Sequence, residues 1–420
     1  MINDLQKEIK KDKQIKKFCF YGFLKNLKFF EPYLLIFLMD KGITLFQIGI
    51  LISIREIIIN VFEIPSGFIA DYFGRKKELY FCFCFYIVSF IFFFFTNSFA
   101  IAIIAMIFFG LGEAFRSGTH KAMIYTYLDN KGWEKEKTFV YGRTRSYSLI
   151  GSVFSSLIGI LIILLVPSLN LVFLFSVIPY ILDFILIITY PKYLDARDRE
   201  AKINIKGMFK GFINNFAHNK TLRHILIEEG VFEGTISFIK DLIQPILESI
   251  IMVSGIVILA SLSPDDNLHV ILGIVYAVLN LIGSLASRKA YAIKGKKSNM
   301  TCLFIIHLSL AICMAILALV SKNPILVFIV YILIYILFNI RKPIYVDEID
   351  DYIEKSVRAT ALSLSSQLKS LFLIIVAPLL GFIADKYGIS VIMIILACLF
   401  IVSLPLLISK NKNKKTELTK

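Results

Sequence analysis

Apolar residues along the chain gather into blocks of about 20, which matches a bilayer hydrocarbon core roughly 30 Å thick at 1.5 Å rise per residue. Twelve such blocks fall at roughly 18–39, 45–69, 78–97, 99–119, 145–166, 170–190, 222–245, 268–288, 300–320, 324–341, 361–384 and 389–409. Backbone groups have no water partner in lipid, so each block is expected to be a helix. The predicted class is an all-α integral membrane protein with twelve transmembrane helices. One further stretch, 245–262, is apolar enough to cross, but a crossing there would send the basic residues of 288–297 and the C-terminal tail to the outer side. An extension of the seventh span, an interfacial helix or a re-entrant piece is expected instead.

The longest polar interval, 191–221, divides the blocks six and six. This predicts an N-terminal six-helix bundle over 1–190, a linker over 191–221 and a C-terminal six-helix bundle over 222–420.

Composition excludes a soluble fold of this length. The 420 residues are 57% hydrophobic and 18% charged, with 38 Phe and a mean hydropathy of +0.75, whereas soluble domains carry roughly 25% charge. The net charge of +15 does not point to nucleic acid, because the Lys and Arg cluster between the apolar blocks. With an inside N-terminus, the outer loops hold only Lys41, Lys322 and Lys386 among the basic residues, a bias that predicts both termini in the cytoplasm. The six cysteines lie in or beside apolar segments without zinc or disulfide spacing and read as packing residues. A Lys-rich polar tail leads directly into a full-length span, so no cleavable signal is expected. The excess of Lys, Ile, Asn and Phe suggests a bacterial inner membrane.

Between the second and third spans stands Gly67-Phe68-Ile69-Ala70-Asp71-Tyr72-Phe73-Gly74-Arg75-Lys76-Lys77, and six of its first eight residues return at Gly381–Gly388 after the eleventh span. Corresponding positions on opposite sides of the membrane are what inverted triplets of helices require. The glycines permit a tight turn, the acid can complement a helix N-terminus, and Arg75 and Lys76 anchor the loop. This segment resembles the signature loop of the major facilitator superfamily, G-x-x-x-D-x-x-G-R-[RK]-[RK], and twelve spans with a midpoint linker extend the resemblance over nearly the whole chain. Glu63-Ile64-Pro65-Ser66 just before it is similar to the form seen in clostridial-type tetracycline exporters. The resemblance implies that Gly67, Asp71, Gly74, Arg75 and Lys76 form a latch between states, with Asp71 meeting the start of span 11 near Arg358-Ala359-Thr360, and Arg116 or Lys121 close by. Span 5 lacks the antiporter motif of the family's drug exporters, although its small residues suit close helix packing.

Ionisable groups inside spans face a cavity or a partner. In span 1, Lys25, Lys28 and Glu31 share a broad face, and Lys28 is placed to pair with Glu31. Glu56 and Glu63 share a face of span 2 with Arg55 alongside, and Glu113 and Arg116 pair at i,i+3 in span 4. Glu56, Glu63 and Glu113 are the candidate proton-coupling carboxylates, with Arg55 and Arg116 as charge partners, against the alternative of structural ion pairs. His120 falls at the membrane boundary. Span 7 carries Glu228, Glu229, Glu233, Lys240 and Asp241, with Glu229, Glu233 and Lys240 on one stripe; either they line a cavity, or Glu228 and Glu229 reach cytoplasmic water. Asp183, His307 and Lys369 stand isolated, Lys369 being placed to attract an anion or neutralise a carboxylate.

The functional expectation is a secondary transporter with a central site alternately open to each side. No nucleotide-binding loop is present, so an ion gradient, preferably of protons, or the substrate's own gradient would drive it without a cofactor. Proton-coupled efflux of an amphiphilic drug, tetracycline-like antibiotics included, is the first reading, and a symporter or facilitator for a small metabolite or nutrient the second. No metal-ligand His pair, nucleophile elbow or Asp-rich lipid-phosphate motif supports the remaining class, a polytopic membrane enzyme. The expected partners are a small-molecule substrate and the lipid bilayer, with a monomer as the default state and no metal site.

Overall fold

The computed structural model describes residues 4–116, 118–166, 168–195, 220–254, 261–295, 297–320, 323–349 and 358–408. Within these, the side chains of Asp71 and of residues 358–363 are among those outside the description. Every regular element is helical: α1 (Asp4–Lys11), α2 (Lys13–Lys25), α3 (Leu34–Asp40), α4 (Leu45–Phe73), α5 (Arg75–Phe94), α6 (Phe99–Arg116), α7 (Thr119–Asn130), α8 (Lys137–Leu165), α9 (Asn170–Ile188), α10 (Lys220–Ser254), α11 (Pro264–Arg288), α12 (Ala290–Lys294), α13 (Asn299–Val320), α14 (Pro324–Ile349), α15 (Arg358–Tyr387) and α16 (Ile389–Ile408). Among the described residues, ten helical stretches are long and apolar enough to cross a membrane.

The two remaining expected spans fall outside that set for different reasons. The first is not continuous: α2 starts at Asp12, whose Oδ1 accepts from Gln14 N (2.8 Å) and Ile15 N (2.9 Å). It stops where Asn26 turns its Nδ2 back onto Gly22 O (2.7 Å). A short 3₁₀ turn, Glu31–Tyr33, then leads into α3. Lys28 and Glu31 therefore do not sit on one helical face, which corrects the expected pairing. The seventh span, α10, is interrupted by charge rather than by geometry. Its 35 residues run on past Pro245 to Ser254, about 52 Å at 1.5 Å per residue, so the stretch after 245 continues the same helix as far as it is described.

The chain forms two compact units. One comprises 1–43, 54–201 and 257–281, the other 44–53, 202–256 and 282–420. The first turns of α4 and most of α11 thus pack with the opposite unit from the one their place in the sequence suggests. In the first unit α5 packs against α6 and α9, and α2 against α8. In the second, α13 packs against α14 and α16, and α10 against α15. The two sets correspond span for span, as expected of a repeated unit. Close helix contact rests on small residues: a Cβ on Gly151 of α8 would collide with the Phe23 backbone of α2. Faces turned away from these contacts carry exposed apolar side chains such as Leu165, Ile185, Leu319 and Val402, as lipid contact demands.

Candidate functional site

In the first unit, α2, α6, α7 and α8 enclose a cavity of about 400 Å³. Its wall carries Lys25, Arg116, Lys121 and Arg145 together with the His120 ring, and among the described residues no carboxylate side chain belongs to it. Asn26, Thr144, Ser148 and Ser152 add hydrogen-bonding groups. Helix geometry explains the convergence: Thr144, Ser148 and Ser152 recur every four residues on one face of α8, and Gly118, at φ +77°, starts α7 so that His120 and Lys121 turn inward. His120 stacks on Tyr21 at 3.6 Å between ring centroids, and its Nε2 lies 3.1 Å from Tyr190 Oη. Arg116 is held by Glu113 and donates to Tyr86 Oη (3.2 Å). Lys25, Lys121 and Arg145 form no ion pair among the described residues; the Lys121 ammonium instead lies 5.1 Å from the Tyr141 ring centre.

Glu113 and Arg116 do pair at i,i+3, and Glu113 also receives Lys28 (3.3 Å), the residue that sequence spacing had assigned to Glu31. Glu31 is exposed at the 3₁₀ turn and does not share the cavity with Lys25. Glu56 is buried, with Arg55 donating to its Oε1 from Nε (3.1 Å) and Nη2 (2.9 Å). Glu63 is half-buried two turns further along α4. Asp183, on α9, is fully buried, and neither carboxylate oxygen has a hydrogen-bond partner among the described residues.

The signature segment is clamped by residues that the sequence did not single out. Helix α4 continues through Gly67 to Phe73, and Gly74 starts α5 at φ +102°. A Cβ there would strike the Asp195 carboxylate, which accepts from Lys76 N (2.8 Å) and so occupies the N-terminus of α5. Lys76 Nζ donates to Ile188 O (3.0 Å) and Tyr190 O (2.9 Å), and Arg75 Nη1 to Thr126 Oγ1 (2.7 Å). The expected partnership of Asp71 with 358–360 lies outside the described side chains. The repeated segment after span 11 has its own partner: Asp385 accepts from Leu45 N (3.0 Å) and Phe46 N (2.8 Å), at the start of α4.

In the second unit the stripe on α10 meets α14. Glu229 pairs with Arg341 Nη1, and Glu228 with Arg341 Nη2 at 2.5 Å. Arg341 is 1% exposed and also covers the Phe232 ring at 3.6 Å. One of the two open alternatives is thereby excluded: Glu228 and Glu229 are buried and do not reach water. Arg341, the last residue of the apolar block 324–341, lies inside α14, which continues to Ile349. His307 of α13 is not isolated: its Nδ1 lies 3.0 Å from Glu228 Oε1 and its Nε2 2.8 Å from Phe400 O. Lys342 Nζ donates to Glu233 (3.0 Å), and α15, the helix that carries Lys369, packs against α10. Lys240 places its ammonium 3.6 Å from the Phe338 ring centre. Arg341 and His307 could have been found in the sequence only as charges placed within or beside apolar blocks, since nothing in their own spacing names their partners.

No group of three or more His, Cys, Asp or Glu suited to a metal occurs among the described residues. What remains is a polar, cationic cavity in one unit and a buried ionic cluster in the other, each inside a bundle of apolar helices. Residues 18–371 match the Major Facilitator Superfamily profile. The chain belongs to that superfamily. A curated relative, an uncharacterized MFS-type transporter, YxaM, of Bacillus subtilis, is 32% identical over 140 residues, 32% of this chain and 35% of the relative's length, so that match spans about a third of each. Among solved structures, the nucleoside transporter NupG superposes with a TM-score of 0.76 at 12% identity, covering 96% of this chain and 100% of its own. A D-xylose–proton symporter does so at 0.70 and 12%, covering 94% and 96%. These superpositions assign the twelve-helix fold of the superfamily.

Proposed function

We propose that this superfamily transporter moves a small, polar, negatively charged metabolite across the cell membrane by alternating access, linked to a proton gradient, with both termini cytoplasmic. The observation that carries the reading is the cavity of about 400 Å³, whose wall carries Lys25, Lys121 and Arg145 with no ion pair among the described residues, beside Arg116, which Glu113 holds, a histidine and several hydroxyl and amide groups. Among the described residues Lys25, Lys121 and Arg145 have no ion-pair partner, so a solute carboxylate or phosphate satisfies them best. That other members of this fold are a nucleoside transporter and a D-xylose–proton symporter is in keeping with a small polar solute, and the second with proton coupling. An amphiphilic drug matches this wall less well, and span 5 lacks the antiporter motif.

Counterflow in proteoliposomes tests the reading. A panel of small carboxylates and sugar phosphates is set beside neutral sugars, nucleosides and tetracycline. Exchange of an anionic compound is expected, and Lys25→Gln should weaken it about 10–100-fold, the equivalent of one charge-assisted hydrogen bond of about 1.5–3 kcal/mol. Exchange of tetracycline alone, or of neutral solutes with Lys25→Gln unchanged, would refute it.

A further inference from the structure

The ionic cluster between α10, α13 and α14 contains more acceptors than its evident protons satisfy. His307 Nε2 faces Phe400 O at 2.8 Å, and a backbone carbonyl only accepts, so Nε2 carries a hydrogen. The Ser403 hydroxyl, 2.9 Å from the same nitrogen, has carbonyl acceptors of its own in Leu399 O (2.8 Å) and Phe400 O (3.1 Å), leaving a lone pair towards the ring. In a neutral imidazole Nδ1 is then a bare lone pair, and it lies 3.0 Å from Glu228 Oε1. Among the described residues neither of these two atoms has another hydrogen-bond partner. Two acceptors face each other at hydrogen-bonding distance in a place from which water is excluded, both residues being 0% exposed. Such a contact is stable only with a proton between them.

We infer that His307 and Glu228 together bind one exchangeable proton, and that this pair is the proton-carrying site of the transporter. The inference rests on the proton-linked reading above and moves the coupling group from α4, where Glu56 is already engaged by Arg55, to the second unit. Charge counting agrees. With the proton present, Arg341⁺ and the shared proton balance Glu228 and Glu229; without it the buried cluster keeps one uncompensated negative charge. The proton therefore leaves when water or a cation reaches the cluster, which couples its release to opening. Helix α10 adds Glu229 and, one turn on from it, Glu233, which is held by Lys342. Helix α14 adds Arg341 and Tyr345, whose hydroxyl bonds Ser365 Oγ of α15 at 3.3 Å, and further along Glu348. Among the described residues helix α16 offers the Phe400 carbonyl and the Ser403 hydroxyl. Of these, Arg341 is committed to both glutamates, so it is not the group that gives up the proton.

The proton is its own probe. Purified protein carrying ¹⁵N-labelled imidazoles, five in the chain, is examined at neutral pH by ¹⁵N magnetic resonance, with His307→Gln assigning the signal, and by infrared spectroscopy for a protonated carboxyl. The expected result is either an imidazolium signal from His307 or a protonated carboxyl band, lost in Glu228→Gln. Absence of both, or a signal untouched by Glu228→Gln, would overturn the inference. Should Glu228→Gln fail to fold, loss of the same band or its shift in His307→Gln decides the matter. Proteoliposomes provide the functional arm, using the anionic compound that scores in counterflow: His307→Gln should lose at least tenfold of pH-gradient-driven accumulation while keeping exchange, and undiminished accumulation would overturn the coupling role. A failed solute screen leaves the spectroscopic result standing, and a negative spectrum leaves the solute reading standing, so the two fail separately.

Discussion

Removing the guanidinium of Arg341 should be among the most damaging single changes in the second unit. Arg341, Glu228 and Glu229 are 1%, 0% and 3% exposed, and the arginine gives one nitrogen to each carboxylate. Arg341→Met fills a similar volume but leaves Glu229 buried without a cation and Glu228 with only the proton it shares with His307, and breaking a buried pair in this way costs about 3–5 kcal/mol. With roughly 2–4 °C lost per kcal/mol for a unit of about 200 residues, the melting temperature should fall by roughly 6–20 °C. The chain carries its own reporter: Cys19, Cys82, Cys302 and Cys313 are buried, and a thiol-reactive fluorogenic dye reads their exposure on heating in detergent. The charge argument makes a second demand. Arg341→Met combined with Glu228→Gln and Glu229→Gln removes all three charges and should recover most of the loss, because an isosteric neutral cluster avoids the desolvation penalty that the ions carry. Arg341→Lys should fall between, since one ammonium does not serve two carboxylates as a planar fork does. A single mutant that melts with the wild type, or a triple mutant that melts as low as the single, would refute the reasoning.

Other substitutions test the clamps and the unpaired acid. Gly74→Ala forces a Cβ onto φ +102° and into the Asp195 carboxylate, so transport should fall with membrane insertion intact; full activity would show that the α4–α5 turn tolerates rearrangement. Asp195→Ala, which leaves the glycine in place, should cost about 1 kcal/mol, the worth of one N-terminal cap, read as a shift in the same thermal assay. Asp385→Ala removes the acceptor of Leu45 N and Phe46 N and should loosen the start of α4 by about 1–2 kcal/mol; a thiol introduced by Thr44→Cys should then react several-fold faster, and an unchanged rate would mean that other contacts hold that turn. Asp183→Asn replaces a fully buried carboxyl that has no hydrogen-bond partner among the described residues by a neutral amide, and a rise in melting temperature is expected, whereas a fall would reveal a partner for the acid.

The helical membrane class was legible in the sequence, because the bilayer imposes a length on every crossing. Span 7 shows the limit of such reading. Its glutamates announced that the helix could not face lipid, yet the spacing left both water and a cavity open, and the partner was Arg341, at the very end of the apolar block 324–341. Span 1 shows another. Apolar content from 18 to 39 says nothing about a helix stopping at Asn26, where a side-chain amide takes over a backbone carbonyl, and that stop carries Lys28 to Glu113 rather than to Glu31.

The sequence by itself determined the class of molecule, its superfamily resemblance, the spans and the helices that carry charge, since hydrophobic length and short motifs are local properties of the chain. Only tertiary structure decided that Asp195 rather than a residue of the loop caps α5, that Lys25 opens onto a cationic cavity, and that His307 meets Glu228. Those outcomes depend on which helices lie side by side and at what rotation, which is fixed by packing small residues against backbone across the whole bundle and is not written in the period of any single helix.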